Sequence, residues 1–300
     1  MSRPSLILFA NPIAGRGRAT RIADALRERL KRQYQIFHFS LPAVMGDPSQ
    51  MRVAGKPDAV ICVGGDGTLQ GVGEVTLREW PTQTPPILLI PLGTANLIAR
   101  HLKLPWSQPK DVEQVADALA ARRLAKIDEC RCNGRLFLAV AGVGFDAHVV
   151  HLLHRHRSGP ITKGSYVLPT AFTLRDYRFP KLRVEIDGRE VFPDAPALVY
   201  VGNVREYGTG VPMLPRARGD DGWLDVCVLP CATTRQALGW MMSAATDEHV
   251  GGEGAVYLRG KRVRIDAPKS APIQLDGEAA GHTPADIQLL DRQLRFIVAG

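Results

Sequence analysis

The 300-residue chain contains few cysteines, few aromatic residues and no long apolar run. Its five cysteines are odd in number and scattered, which argues against a disulfide framework and favours a reducing cytoplasm. Cys130 and Cys132 could form half of a zinc site, but no second pair at zinc spacing accompanies them, so none is expected. No stretch approaches the roughly 18 apolar residues of a membrane span. The apolar run near the start is broken by Asn11-Pro12, so no signal peptide is expected either.

Aromatic residues make up 6% of the chain, which is low for a protein that stacks single-stranded bases. The formal net charge is +8, with a pI near 9.4, and predicts a polyanionic partner. That partner could be nucleic acid, an acidic membrane surface or a phosphorylated ligand. Because the basic residues are spread along the chain, we expect no nucleic-acid partner. At 45% hydrophobic and 23% charged residues, the chain can form two domains with cores.

Two patterns of periodicity divide the chain near residue 125. Residues 1–125 alternate apolar strands with amphipathic helices, which predicts a parallel sheet covered by helices. Residues 126–300 contain short strands separated by turns, with one clear helix at 233–245, which predicts an antiparallel β-sandwich-like domain. The expected fold class is therefore α/β: an N-terminal parallel-sheet nucleotide-binding domain, a β-rich C-terminal domain and an active site in the cleft between them.

Three glycine-rich turns follow predicted strands of the first domain, at residues 11–17, 64–68 and 91–96. In a parallel sheet these turns emerge at one edge and converge there. Glycine lets backbone N–H groups approach a phosphate, and the following helix directs its positive end to the same place. Asp66 fits such a site if Mg²⁺ or a hydroxyl proton lies beside the phosphates. Taken alone, GGDGT is equally compatible with an ordinary turn in which Asp66 is a helix N-cap, but the two companion turns favour a nucleotide. Neither a Walker lysine motif nor a dinucleotide-type G-x-G-x-x-G is present.

Six segments occur in a characteristic order: NPIAGRG, VGGDGTLQGV, PLGTANLIAR, GVGFDAHVV, DDGWLDV and QLDGE. In this order and spacing the chain resembles the diacylglycerol kinase catalytic-domain family, which includes bacterial soluble lipid kinases and the sphingosine and ceramide kinases. GGDGT is shared with NAD kinases, whereas the later segments are more specific to lipid kinases. The resemblance covers nearly the whole chain. It implies an ATP-binding α/β domain, a β-rich second domain and transfer of a γ-phosphoryl group to a lipid hydroxyl.

The resemblance also implies roles for individual residues. Glu278 would be the proton acceptor, with Asp276 and Asp66 as further catalytic candidates. Mg²⁺ would be held by the Asp221 carboxylate and by the backbone carbonyls of Arg218 and Trp223. The residues implied at the ATP site are Asn11, Ser40, Gly64, Gly65, Asp66, Gly67, Thr68, Leu69, Gln70, Thr94 and Asn96.

Two features of the sequence qualify the resemblance. Many members of the family have Asp-Phe after Thr-x-Asn, whereas this chain has Leu97-Ile98, so an acid expected near the reaction centre is missing. The segment VEIDGREV, which contains Asp187 and Glu190, has the same strand, Asp-Gly and acid pattern as the QLDGE segment. The simplest interpretation of VEIDGREV is a hairpin with a tight turn, and the local pattern alone does not distinguish the two segments.

The run HVVHLLHRHRSG, residues 148–159, places His148, His151 and His154 at intervals of three. Without an acidic partner this spacing is more typical of a basic helix face than of a metal site. We expect this face to meet anionic headgroups, with Leu152 and Leu153 either in the membrane interface or in the core.

These observations predict a cytoplasmic, Mg²⁺-dependent lipid kinase that uses ATP and works peripherally at an anionic membrane surface. A NAD kinase-like enzyme is one alternative, although no Asn-Glu adenosine-recognition pair follows GGDGT. A catalytically degenerate regulator that binds nucleotide or lipid is the other alternative, and Leu97 is its best support. A homodimer is compatible with the sequence, which does not determine the oligomeric state.

Overall fold

The computed structural model describes residues 3–41, 55–155, 177–208 and 210–300. The chain divides into two compact units, one formed by Met1–Ile127 with Leu294–Gly300 and the other by Asp128–Gln293. The sequence placed the boundary at 125/126 and assigned the final residues to the second domain. The last seven residues return to the first unit because they extend its sheet, which periodicity along the chain does not reveal.

The first unit contains a parallel sheet with the strand order β2-β1-β3-β4. Its strands are β1 (Ser5–Ala10), β2 (Gln35–Ser40), β3 (Ala59–Gly64) and β4 (Ile87–Pro91). Every residue of β3 and β4 is buried, as expected for central strands of a parallel sheet covered on both faces. Phe296, near the end of the chain, lies parallel to β4 beside Ile87.

The described residues of this unit contain four α-helices: α1 (Arg18–Leu30) between β1 and β2, α2 (Asp66–Glu79) between β3 and β4, and α3 (Leu97–His101) and α4 (Val112–Ala121) after β4. Helix α1 buries Ala19, Ile22, Ala23, Leu26 and Leu30, which recur at helical spacing and form one apolar face. This face belongs to a core that also includes residues from β1, β3, β4 and α4. The predicted α/β architecture of the first unit is confirmed.

The second unit is built from antiparallel pairs. Strands β5 and β15 run across the boundary between the units. The strands are β5 (Leu124–Cys132), β6 (Arg135–Phe137), β7 (Val140–Val143), β8 (Lys181–Ile186), β9 (Arg189–Gly202), β10 (Leu224–Pro230), β11 (Val256–Gly260), β12 (Arg262–Asp266), β13 (Pro272–Leu275), β14 (Glu278–His282) and β15 (Ala285–Ile297). They agree with the predicted β-rich domain.

Strand β9 is 14 residues long and takes part in two sheets. Its first half pairs with β8, and its second half, from Ala197, pairs with β10 and β7. A long strand that changes partners in this way joins the two layers of a sandwich. Valines and isoleucines from both layers fill one core, including Val184, Val199, Val226 and Ile273.

Among the described residues, two α-helices accompany these strands, α5 (Phe145–Arg155) and α6 (Thr234–Ala244). Within the described residues, no helix is long and apolar enough to cross a bilayer. Residues 135–143 form two short strands, β6 and β7, rather than one continuous strand. Strand pairing is interrupted between them because the backbone amides of Leu138 and Ala139 donate to the carboxylate of Asp276.

Candidate functional site

The glycine-rich turns of the first unit are joined by hydrogen bonds at the carboxyl edge of its sheet. Asn11, directly after β1, donates its backbone N–H to the Val63 carbonyl at 3.1 Å. Its side-chain amide donates to the Thr68 hydroxyl at 3.2 Å, which links the first turn to the start of α2. The N–H of Leu92, after β4, donates to the Gly64 carbonyl at 2.8 Å. The convergence predicted from the order of strands and turns is therefore present.

Two of these turns approach each other so closely that side chains are excluded. A Cβ added to Gly65 would lie 2.8 Å from the Cα of Gly93, and one added to Gly93 would lie 2.7 Å from the Cα of Gly65. A Cβ at Gly64 would lie 2.5 Å from the Thr68 side chain. Backbone contact between the turns thus explains Gly65 of GGDGT, and the close Thr68 side chain explains Gly64. The same absence of side chains leaves peptide groups accessible at this edge, where Gly65 is half-buried and Gly93 exposed.

Asn96 closes the third turn. Its side-chain carbonyl accepts the Gly93 N–H at 2.8 Å and its amide donates to the Gly93 carbonyl at 2.9 Å, while its own φ is 50°. Asparagine tolerates this left-handed conformation better than most residues. Both polar atoms of its side-chain amide therefore bond within the turn that contains Thr94 and fix its conformation. Leu97, where an acid is common in the resembling family, is 4% exposed, so the apolar residue suits the buried position.

The remaining ATP-site candidates lie in the first turns of α2 and at the end of β2. Asp66, Gly67 and Thr68 form its half-buried first turn, where backbone N–H groups point away from the helix toward solvent or a ligand. Gln70 is half-buried, whereas the Leu69 side chain is fully buried and leaves only its backbone for a ligand. Ser40 is exposed at the end of β2, paired in register with Ala10. This edge offers amides, hydroxyls and one carboxylate, the groups that bind a phosphate with its metal ion.

In the second unit, Asp276 lies in a tight turn between β13 and β14. Its carboxylate accepts three backbone N–H bonds, from Leu138, Ala139 and Val140, at 2.8 to 2.9 Å. Burial raises the Asp276 pKa to about 6, and the three backbone hydrogen bonds oppose this shift. Both oxygens are thus used to hold the turn. Glu278, two residues later, is half-buried at the start of β14.

The look-alike turn at Asp187 has the same local geometry. Its carboxylate accepts the N–H groups of Lys261 and Arg262 at 3.0 and 2.9 Å, and its φ of 48° matches the 51° of Asp276. The difference lies in burial, because Asp187 is exposed whereas Asp276 is 8% exposed. The hairpin predicted for residues 184–191 is present between β8 and β9. Both Asp-Gly pairs are therefore turn-forming, and only their surroundings distinguish them.

Sequence reasoning missed Asp128, a buried residue in β5. Its carboxylate accepts the Gly222 N–H at 2.8 Å and the Gln293 side-chain amide at 2.7 Å. Its backbone N–H donates to the Gly219 carbonyl at 2.6 Å. Asp128 therefore holds the turn that contains Asp221. Acidic residues inside an otherwise strand-like stretch, such as Asp128-Glu129 in LAKIDECRC, are the signal that would have identified it.

The predicted metal ligands Arg218, Asp221 and Trp223 lie in this turn. One Asp221 oxygen accepts the Trp223 N–H at 3.2 Å, and the other lies 3.3 Å from the Arg259 guanidinium. In the described part of the chain, no three histidine, cysteine or acidic side chains cluster in a way that could hold a metal. Mg²⁺ here would therefore depend on one carboxylate and backbone carbonyls. These are the hard oxygen ligands that Mg²⁺ prefers, and the ion completes its shell with water, so the donor set is compatible with it.

His148 and His151 of α5 are half-buried and pack against other residues of the second unit. The His148 ring lies 5.0 Å from that of Tyr177, and burial lowers the His148 pKa, helped by the nearby positive charge of Arg155. His151 is hydrogen-bonded through Nε2 to the Ile273 carbonyl at 2.8 Å, and its ring lies 5.1 Å from that of His282. Part of the expected basic face is therefore packed and uncharged at neutral pH. Residues 156–159 of that run lie outside the described residues.

Another buried acid, Asp146, lies in the first turn of α5. Burial raises its pKa to about 6 from an ordinary value of 3.8, so the folded state binds a proton more tightly than the unfolded state. Stability from this group is fully present below about pH 4 and is lost as the pH rises through about 6. We expect Asp146→Asn to gain about 2 kcal/mol relative to the wild type between pH 4.5 and 7.5, measured by urea unfolding. A stability difference independent of pH would contradict this.

Comparison with protein families gives two adjoining matches. Residues 5–132 match the diacylglycerol kinase catalytic domain. Residues 139–298, more than half of the chain, match the YegS C-terminal NAD kinase beta sandwich-like domain. Both turns that carry the GGDGT and QLDGE segments lie within these matches.

Individual relatives agree with the family matches. A protein of Mycobacterium tuberculosis named diacylglycerol kinase is 29% identical over 301 residues, covering 96% of this chain and 93% of the relative. A Bacillus subtilis diacylglycerol kinase is 26% identical over 242 residues, covering 80% and 78%. A crystal structure of a diacylglycerol kinase from Bacillus anthracis has a TM-score of 0.68 at 22% identity, covering 99% of this chain and 97% of that one. The likeness in structure supports the fold.

Proposed function

Because the chain belongs to the diacylglycerol kinase catalytic-domain family and carries an NAD kinase-like C-terminal domain, we propose that it transfers the γ-phosphoryl group of ATP to a lipid hydroxyl. Relatives named diacylglycerol kinase, at 26–29% identity, support a kinase of this family. The acceptor, a diacylglycerol-like lipid, and the requirement for Mg²⁺ are the finer parts of the proposal.

The observation that supports nucleotide binding most strongly is the close approach of Gly65 to Gly93 at the carboxyl edge of the first unit. Neither position has room for a side chain, and the α2 N-terminus begins at the next residue, Asp66. Peptide N–H groups and a helix N-terminus are suited to the negative charge of ATP phosphates. Thr68 and Thr94 add hydroxyl donors in the adjoining turns. Ser40, at the end of the neighbouring strand β2, and Gln70 are proposed as further contacts.

Phosphoryl transfer requires mainly positioning and neutralisation of charge. Bound Mg²⁺ would neutralise phosphate charge, and Asp66 is the carboxylate of the first unit placed to orient that ion or the acceptor hydroxyl. In the second unit, Asp221 with the carbonyls of Arg218 and Trp223 would hold a further Mg²⁺. Asp128 would orient the latter site, because its carboxylate bonds to Gly222 within the same turn.

Glu278 is proposed to accept the proton of the lipid hydroxyl. A base in this role must be held firmly, and the Asp276 carboxylate fixes the preceding turn through three backbone bonds. We therefore assign Asp276 a positioning role beside Glu278, which revises its expected place among the residues that contact the reacting groups. Leu97 leaves this reaction without the additional acid common in the family.

The lipid acceptor implies work at a membrane surface, and the +8 net charge favours an anionic one. We expect binding to vesicles that contain anionic lipid, weakening as salt rises from 0.05 to about 1 M, where the screening length falls to about 3 Å. Because His148 is uncharged at neutral pH, replacing it with glutamine should leave this binding unchanged, whereas Arg155→Gln should weaken it. Sedimentation with vesicles measures both variants. Equal binding to neutral and acidic vesicles would refute the electrostatic contribution.

The function is tested by incubating the pure protein with labelled ATP, Mg²⁺ and a total lipid extract, then identifying any labelled lipid. NAD serves as a second acceptor, because GGDGT is shared with NAD kinases. Label in a lipid supports the proposal, and label in NAD refutes it. ATP binding without transfer to either acceptor would favour the regulator instead.

A further inference from the structure

We propose that Gln274 is a positioning residue for Glu278: it holds the Asp276–Gly277–Glu278 turn, and the buried carboxylate of Asp146 fixes the orientation of its side-chain amide. This inference rests on the proposed function, because it concerns the base in that reaction. It adds two buried residues that the family resemblance did not assign.

The hydrogen bonds of Gln274 establish a direct link from α5 to the turn. Gln274 is fully buried in β13, and its side-chain carbonyl accepts the Gly277 N–H at 2.8 Å. Its side-chain amide donates to a carboxylate oxygen of Asp146 at 3.3 Å. A carboxylate can only accept, whereas the peptide N–H can only donate, so one amide orientation satisfies both partners. An ionised Asp146 therefore fixes the Gln274 side-chain amide in the orientation whose carbonyl accepts the Gly277 N–H.

Asp146 itself has little freedom to move. A Cβ added to Gly142 in β7 would lie 2.1 Å from the carboxylate oxygen that accepts from Gln274, so the carboxylate packs directly against the backbone of the strand. Buried polar groups fixed in this way form rigid networks, and a partner that loses its bond is costly.

The turn is thus held from two sides by buried polar groups. Asp276 binds the amides of residues 138–140, and Gln274 binds the Gly277 amide next to the proposed base. The look-alike hairpin provides a comparison, because the place of Gln274 is taken there by Glu185, which lies opposite Glu190 in the strand register. A displacement of about 1 Å at a reacting group can lower a rate by about 10²-fold. The Gln274 link therefore bears on catalysis.

A charge-swap experiment tests the link. Assayed at pH 8.5, well above the Asp146 pKa of about 6, Gln274→Glu places a new carboxylate against that of Asp146, and repulsion should displace the turn. We expect kcat to fall by about 10²-fold with the KM for ATP unchanged. In the double variant Asp146→Asn/Gln274→Glu, the new asparagine amide can donate to the new carboxylate, which still accepts the Gly277 N–H. We expect kcat of this double variant to be at least tenfold higher than that of Gln274→Glu.

The matched control is Glu185→Gln in the look-alike hairpin, which should leave kcat at the wild-type value. Wild-type kcat in Gln274→Glu, or a double variant no better than the single one, would overturn the proposal. Equal loss of kcat in Glu185→Gln would do so too, because the effect would then not be specific to this turn. Recovery in the double variant supports it, since general destabilisation by two substitutions would not reverse itself.

A second measurement does not depend on activity. In glycine-labelled protein, hydrogen exchange at the Gly277 amide should be at least tenfold faster in Gln274→Met than in the wild type, because the acceptor is lost. Unchanged exchange would refute the geometric basis of the proposal even if no lipid is phosphorylated. Fast exchange combined with wild-type turnover in Glu278→Gln would instead refute the assignment of Glu278 as base, and the positioning role with it.

Discussion

Glu278→Gln is expected to lower lipid phosphorylation by about 10² to 10⁴-fold, the usual contribution of a positioned general base. Glutamine preserves the size of the side chain but cannot accept the hydroxyl proton. Affinity for ATP should remain nearly unchanged, because the base acts on the acceptor. Steady-state kinetics with an acceptor lipid that the protein phosphorylates gives the turnover, and a separate binding measurement gives the affinity for ATP.

The chain provides an internal control for this substitution. Asp187→Asn alters the exposed look-alike turn, whose carboxylate bonds only to neighbouring backbone amides among its described contacts. We expect turnover and ATP affinity to be unaffected there. If Glu278→Gln retains wild-type turnover, the QLDGE turn has only a structural role and Asp66 becomes the leading candidate for the base.

The second large effect is expected from Gly65→Val. In the wild type, ATP with Mg²⁺ should raise the melting temperature, since a ligand at about 100 times its Kd stabilises the folded state by about 2.7 kcal/mol. A side chain at Gly65 would occupy space now filled by the Gly93 backbone and would force the two turns apart. We expect the shift in melting temperature to disappear. Differential scanning fluorimetry with and without nucleotide measures it.

Two further variants distinguish loss of the site from loss of the fold. Gly65→Ala introduces only a Cβ, which would still lie 2.8 Å from the Gly93 Cα, so the nucleotide shift should again be lost. Gly239→Ala changes a glycine in α6 that has nothing within 4 Å of an added Cβ, and it should keep the full shift. A normal nucleotide shift in Gly65→Ala would show that the phosphates bind elsewhere.

The sequence predicted the first unit well because local signals agree there. Strands β3 and β4 are short apolar runs, and α1 has one apolar face, so the pattern of residues specifies the element. Convergence of the glycine turns followed from the topology of parallel sheets. The Gly65–Gly93 contact was not predictable, because it depends on the distance between two backbones that are 28 positions apart.

The second unit was predicted less completely, and Asp276 shows why. Its role depends on the amides of residues 138–140, which lie more than 130 positions away. Identical local patterns at Asp187 and Asp276 lead to exposed and buried turns, respectively. Gln274 has no local signal at all, since a glutamine in a strand is ordinarily exposed. Whether a strand residue is buried in a sandwich depends on how distant strands pair and pack, and a single sequence does not predict that pairing.

The return of Leu294–Gly300 to the first unit has a consequence for biosynthesis. Phe296 pairs with Ile87 at the open edge of β4, whose apolar residues Ile87, Leu88, Leu89 and Ile90 are all buried in the folded protein. On the ribosome, this strand is made some 200 residues before the segment that pairs with it. During that interval β4 is an unprotected sheet edge, which is prone to pairing with other chains. We therefore expect the nascent chain to be prone to aggregation until the segment that contains Phe296 has been made.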